Sequence, residues 1–132
     1  MIAAYADIEN GLGNEAITIA GGATVAQANA LDDLTTGTIT ATITEGDITT
    51  LKTLTNDAPL ASGHAYTITI TDTTVAAAEL NTILSLTSVA GVGTAITTLT
   101  GSISAVDTAL DAGVAATITG LGAEAVTLSD TS

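Results

Sequence analysis

A short unit recurs along this chain, and no single copy of it is large enough to fold. Threonine and aliphatic residues take turns in "AITIA" (16–20), "TITATIT" (38–44), "AYTITIT" (65–71), "TAITTLT" (94–100) and "AVTLS" (125–129). Period two puts the aliphatics on one face of a strand and the threonines on the other. β-Branched residues suit that backbone. A second pattern follows each run. Ala28, Leu31 and Leu34 lie three apart, as do Ile48, Leu51 and Leu54. Ala77, Leu80 and Ile83 or Leu84 repeat the spacing, and Val106, Ala109 and Leu110 give a fourth stripe. Such spacing lines one side of a helix.

The helix starts carry their own chemistry. Thr24 with Gln27 forms a capping box. Thr44 is placed to cap the next helix, with Glu45 and Asp47 in its first turn near the positive end of the dipole. The fourth helix begins at Ser102 or Ser104. "TTG" (35–37) and "DAG" (111–113) put glycine where a helix can end in a left-handed cap. The connector "NDAPLASGH" (56–64) holds the only proline and the only histidine and reads as a surface excursion.

The chain also echoes itself. "GLGNEAITIA" (11–20) returns as "GLGAEAVTLS" (120–129), an offset of 109 residues. Four units in that span give about 27 residues each, a length found in stacked repeats. One unit has three or four aliphatics to bury. At about 1.5–3 kcal/mol per buried side chain they cannot offset about 1–2 kcal/mol of backbone entropy per residue. Stacked units share a core and escape this limit. The expected fold is an α/β solenoid of strand–short-helix repeats forming one parallel sheet. Residues 1–10 fall outside the pattern and read as an N-terminal cap or a cloning junction. Residues 11–132 form one repeat domain of about four units plus the start of a fifth. The rival reading is an all-β immunoglobulin-like sandwich of similar length. The alanine-rich, capped segments and the absence of Phe and Trp speak against it.

Composition narrows function mainly by exclusion. Lys52 is the only cationic side chain against fourteen carboxylates, a formal net charge of −13. Such a polyanion repels phosphate backbones and anionic bilayers, so neither nucleic acid nor membrane is an expected partner. No apolar run is long enough to span a bilayer, and "MIAAYADIEN" lacks the basic and apolar regions of a signal peptide. There is no cysteine for disulfides or thiolate metal sites.

The candidate sites are few. His64 with Ser62 falls short of a catalytic triad, because no orienting carboxylate or oxyanion hole is placed beside it. Acid pairs such as Asp32 with Asp33, or Glu45 with Asp47, read as solvated helix ends, so no enzyme and no catalytic residue is expected. "GLGAEA" (120–125) matches a loose dinucleotide fingerprint but runs into a strand, not a helix, and reads as a turn. Calcium is the one ion the acidic composition invites. Asp57, Asp72 and Asp107 are the carboxylates it would draw on, although no EF-hand or nonapeptide ligand loop is present. The sharpest surface feature is a threonine face of Thr18, Thr40, Thr42, Thr67, Thr69 and Thr98. If the strands stack in register these hydroxyls form rows about 4.8 Å apart. Such a grid resembles the flat face of ice-binding solenoids.

"TVAQANALDDLTTGTITATITEGD" and "AYTITITDTTVAAAELNTI" resemble the Thr/Ala-rich tandem repeats of very large secreted or cell-surface proteins of marine cyanobacteria. Similar tracts occur in structural proteins of their phages. The likeness runs from Gly11 through nearly the whole chain. It implies an extracellular or cell-surface location and a structural role, as a module of an adhesin, coat or filament that associates head to tail with its own kind. The alternatives it leaves are a module binding ice or glycan through the threonine face, and a phage fibre segment.

Overall fold

In the computed structural model, residues 13–57 and 63–130 are described. The reading of residues 1–10 as a cap or junction lies outside them. The elements run β1 (Ile17–Ala23), α1 (Val25–Asp32), β2 (Ile39–Ile43), α2 (Ile48–Leu51), β3 (Ala65–Thr67) and β4 (Thr74–Ala76). They continue with α3 (Ala77–Ser85), β5 (Gly91–Val92), β6 (Thr98–Gly101), α4 (Ile103–Val114), β7 (Ile118–Thr119) and β8 (Ala125–Leu128). The protein is a small α/β domain with parallel sheets and, among the described residues, four helices.

Every strand pair among the described residues is parallel. Ile17 faces Ile39, Thr42 faces Thr67, Thr69 faces Val92, Thr74 faces Thr98, and Thr98 faces Ala125. The offsets are 22, 25, 23, 24 and 27 residues, mostly shorter than the even 27 read from the sequence. Parallel pairing and helices after β1, β2, β4 and β6 rule out the immunoglobulin-like sandwich.

The strands form three ladders, β1-β2-β3, β4-β6-β8 and β5-β7, not one sheet. Side chains interrupt the backbone pairing. Thr87 Oγ1 accepts from the Tyr66 N–H at 3.0 Å and donates to the Tyr66 carbonyl at 2.7 Å, standing in for a strand neighbour. The register of β1 on β2 also slips between Thr18 and Gly22. The two copies of the terminal echo occupy different places. The first leads into β1, where Ile17 is buried; the second leads into β8, whose four residues are all exposed.

Local chemistry explains the starts of three of the four helices described. The Thr24–Gln27 capping box forms, with Gln27 N–H donating to Thr24 Oγ1 at 3.2 Å and Thr24 N–H donating to Gln27 Oε1 at 3.0 Å. The cap of α2 is Asp47, not Thr44. Its carboxylate accepts from the Thr50 N–H at 2.9 Å and the Thr50 hydroxyl at 2.8 Å. Thr44 is held instead by the ladder, its N–H donating to the Ala23 carbonyl. Ser102, not Ser104, caps α4. Neither expected glycine stop is a left-handed cap. Gly113 lies inside α4, and the left-handed residue after that helix is Ala116, with φ 58°. Gly37 serves close packing: a Cβ there would sit 2.3 Å from the Glu15 carbonyl oxygen.

The core is many small aliphatic pieces around the Tyr66 ring. Ile39, Ala41 and Ile43 turn inward from β2 while Thr40 and Thr42 face solvent. Ala28 and Leu31 of α1, Ile48 and Leu51 of α2, Ala77, Leu80 and Ile83 of α3, and Val106 and Ala109 of α4 close over them. Tyr66 is fully buried in their midst. Leu34 and Leu110, expected on the buried stripes, are only partly covered.

Candidate functional site

The threonines proposed as a face are divided by the ladders. Thr18 stands opposite Thr40, and Thr42 opposite Thr67, all four exposed. The first row continues to Ala65, and Gly22 occupies the other end of the second. Thr69 sits at an isolated bridge beside Val92. Thr98 is half-buried on a different ladder, between Thr74 and Ala125. The result is two short rows, not one plane of six.

The calcium candidates stand apart. Asp72 accepts a hydrogen bond from the Ile48 N–H at 2.8 Å. Asp107 is exposed on α4. Asp57 follows α2, and its N–H donates to Asp32 Oδ2 at 2.9 Å. Partial desolvation, and then the negative charge of Asp32, hold the Asp57 carboxyl above the usual carboxylate range. Among the described residues no three His, Asp or Glu groups gather so as to hold a metal ion.

His64 is not a surface histidine. It and Asp32 are both fully buried, 2.9 Å apart between His64 Nε2 and Asp32 Oδ1. His64 Nδ1 accepts from the Ile39 N–H at 3.2 Å. A ring nitrogen that faces an N–H donor carries the lone pair, so the ring proton lies on Nε2 and is donated to Asp32. The imidazole thereby replaces a missing carbonyl partner for β2. Both nitrogens are occupied, and neither can serve a substrate as base. Ser62 lies outside the described residues. The Tyr66 ring lies 5.1 Å from the imidazole, and burial followed by the charge of Asp32 pushes the Tyr66 hydroxyl upward from its ordinary pKa. Sequence reasoning missed this cluster. The pair is 32 residues apart, matching no offset seen in the ladders.

A second feature also went unread. Each of three helices has its first N–H bound by a carboxylate from the following turn of chain. Val25 N–H donates to Glu45 at 3.1 Å, Ile48 N–H to Asp72 at 2.8 Å, and Ile103 N–H to Asp130 at 2.7 Å. The carboxylates sit 20, 24 and 27 residues downstream. Helix α3 lacks this contact and a side-chain cap as well. Gly101 occupies the matching place, where a Cβ would lie 3.9 Å from the Ala77 nitrogen. These bonds couple helix dipoles to strand ends in the next turn. Asn29 adds another link, donating to the Thr53 carbonyl at 2.8 Å and accepting from the Thr55 N–H at 3.0 Å. The one cation, Lys52, pairs with Glu79 at 2.7 Å.

These side-chain bonds link segments of chain 20–27 residues apart. The "GLGAEA" stretch forms a turn, with Gly120 at φ 89° and Gly122 at φ 150°, and leads to β8. No helix among the described residues is long and apolar enough to cross a membrane. No family model, curated protein or solved structure matches this chain.

Proposed function

We propose that this chain is a structural module, an α/β solenoid whose turns stack along one axis and which associates with its own kind at its ends. The observation that carries the reading is parallel pairing at offsets of 20–27 residues, repeated from Ile17 to Leu128. Each turn of chain rests on the next one, as stacking requires. The cross-turn carboxylate bonds support it further, because they fix register along the axis of the stack. The setting is a cell surface or extracellular assembly of the adhesin, coat or filament kind. That part rests on the resemblance of the Thr/Ala-rich units and on an acidic surface that resists nonspecific association. The role is mechanical and involves no catalysis.

Small-angle scattering with electron microscopy across a concentration series tests this reading. The single chain is expected to be elongated along the stacking axis and to grow at its ends. A near-spherical particle that stays monomeric at every concentration would refute it. A second reading has one observation in its favour, the exposed Thr18–Thr40 and Thr42–Thr67 pairs, which are suited to ordered water or a glycan. Thermal hysteresis and glycan-array binding measure it directly, and their absence removes it.

A further inference from the structure

Two side chains stand in for a strand partner, and only one of them can gain a proton. In β3 the Tyr66 N–H donates to Thr87 Oγ1 at 3.0 Å. At the start of β2 the Ile39 N–H donates to His64 Nδ1 at 3.2 Å. A threonine hydroxyl does not titrate. An imidazole nitrogen has one lone pair, and a proton placed on it turns the acceptor into a donor. His64 is the only histidine of the chain, and histidine is the side chain whose charge ordinarily changes near neutral pH.

The surroundings decide where a proton goes. Nε2 already donates to Asp32 Oδ1 at 2.9 Å, so Nδ1 is the one open position on the ring. The ring is fully buried and its backbone is held by the next turn of chain. The His64 N–H donates to the Leu86 carbonyl at 3.0 Å, and the His64 carbonyl accepts from the Ser88 N–H at 2.7 Å. Turning the ring over would set carbon against both partners. The titratable groups facing it come from three directions. Asp32 closes α1, Tyr66 approaches from β3 with its ring 5.1 Å away, and Asp57 donates its N–H to Asp32 Oδ2, with exposed Asp33 beside them. Strand β2 and residues 86–88 carry no titratable side chain. The Tyr66 phenol, pushed upward by burial and then by Asp32, stays neutral. The carboxylates attract positive charge to the ring. Charge therefore draws a proton in, and the geometry leaves it only the position that the Ile39 bond occupies.

We propose that His64 is a proton-sensitive joint, in which a proton on Nδ1 expels the Ile39 N–H and opens the seam between the start of β2 and the chain entering β3. Asp32 keeps the imidazolium in place, and the joint made by Thr87 stays closed. Ile39 also faces Ile17 on β1, and the neighbouring Thr38 carbonyl accepts from the Ile17 N–H at 2.9 Å, so the opening reaches β1. Acid loosens this part of the chain locally, ahead of any global unfolding. The inference stands on these hydrogen bonds and does not need the chain to associate with its own kind.

Nitrogen NMR and amide exchange on the full chain, between about pH 8 and about pH 5, test it. The ring is expected to begin with its proton on Nε2 and to gain a second on Nδ1 as the pH falls. In step with that gain, the protection of the Ile39 amide relative to the Tyr66 amide is expected to drop at least about tenfold. The ratio removes the pH dependence of exchange that both amides share. A ring that stays neutral until the chain unfolds overturns the proposal. So does a ring that titrates while the ratio holds, or a loss of protection shared equally by Ile39 and Tyr66. His64→Asn keeps a side-chain acceptor without a titrating ring and is expected to hold the ratio flat, and a ratio that still falls in it overturns the proposal. If that variant does not fold, the titration of the parent chain decides alone.

Discussion

Replacing Asp32 by asparagine tests whether the buried polar cluster holds two turns of chain together. Asp32 receives two donors, His64 Nε2–H on Oδ1 and the Asp57 N–H on Oδ2. His64 cannot turn its other nitrogen to help, because Nδ1 already accepts from the Ile39 N–H. An asparagine has one acceptor oxygen for these two donors, and its amide group is forced against the second. One buried donor is left unpaired, which costs about 1–3 kcal/mol. Asp32→Ala leaves both unpaired and opens space, and breaking a buried pair in this way costs about 3–5 kcal/mol. With a urea slope of about 2 kcal/mol/M, Asp32→Asn should lower the midpoint by about 0.5–1.5 M. The control is Asp33→Asn, next in sequence and exposed, which should stay within about 0.5 kcal/mol of the parent. Urea unfolding followed by circular dichroism measures all three. If Asp32→Asn unfolds with its parent, the His64 tautomer and the lock argued from it are wrong.

Gly37→Ala should cost more than about 1 kcal/mol, because its Cβ would meet backbone, the Glu15 carbonyl oxygen at 2.3 Å and the Asn14 oxygen at 2.6 Å, and backbone cannot swing away. Hydrogen exchange should show β1 amides losing protection first. Glu45→Ala should lower stability by about 0.3–1 kcal/mol through the lost dipole contact at Val25, with Glu45→Gln recovering part of it by keeping an acceptor; equal melting temperatures for all three proteins would count against the cross-turn cap. The pH dependence has two opposed parts. Hydrogen bonds from the Thr50 side chain and then its N–H hold the Asp47 carboxyl below 3.8, so its contribution is present above that value and is lost as pH falls through the lowered one. Asp57 is raised above 3.8, so it disfavours the fold at neutral pH and that penalty is relieved as pH falls through the raised value. Asp47→Asn should flatten the acid limb below 3.8, and Asp57→Asn should raise stability at neutral pH; urea midpoints from acid to neutral pH decide both.

What was legible in the sequence was what local pattern determines. The alternation of Ile39, Ala41 and Ile43 with Thr40 and Thr42 gave β2 and its buried face. The three-residue spacing of Ile48, Leu51 and Leu54 gave a buried stripe on α2 and the turn after it. The burial of the two echoing stretches was not legible, because Ile17 is buried and its counterpart Val126 is 44% exposed, a difference set by what lies next to each in space. The shift from Thr44 to Asp47 has a similar cause. Both residues can cap, but the helix starts at Ile48, so the cap position is Asp47, while the Thr44 hydroxyl is taken by the Ala23 carbonyl and the Glu45 carboxylate. His64 was read by its glycine- and proline-rich neighbours as a loop residue. Its burial is set by Asp32 and Ile39, neither of which is near it in sequence.

The cross-turn polar bonds follow from what the core lacks. A core of Ile, Leu, Val and Ala with one buried tyrosine packs by volume, and aliphatic side chains discriminate weakly between registers one residue apart. Sliding one turn of chain past the next would keep much of the apolar burial. It would break directional bonds, and those occur where sliding must be stopped. Glu45 and Asp72 each reach a single N–H at the start of a helix, and Asn29 spans two backbone groups of the next turn. Asp32 and His64 fix β2 where no carbonyl faces the Ile39 N–H. The aliphatic residues therefore supply most of the cohesion and the buried or capping polar groups supply the register. At Gly101, beside the uncapped start of α3, the carboxylate contact is absent, and the alignment rests on the ladder of β4 on β6 and on Asn81, whose side chain donates to the Ala105 carbonyl at 3.0 Å. A carboxylate introduced there, as in Gly101→Asp, does not restore the missing contact for free. Gly101 has φ 140°, a backbone shape that disfavours any side chain, so the strain opposes the cap.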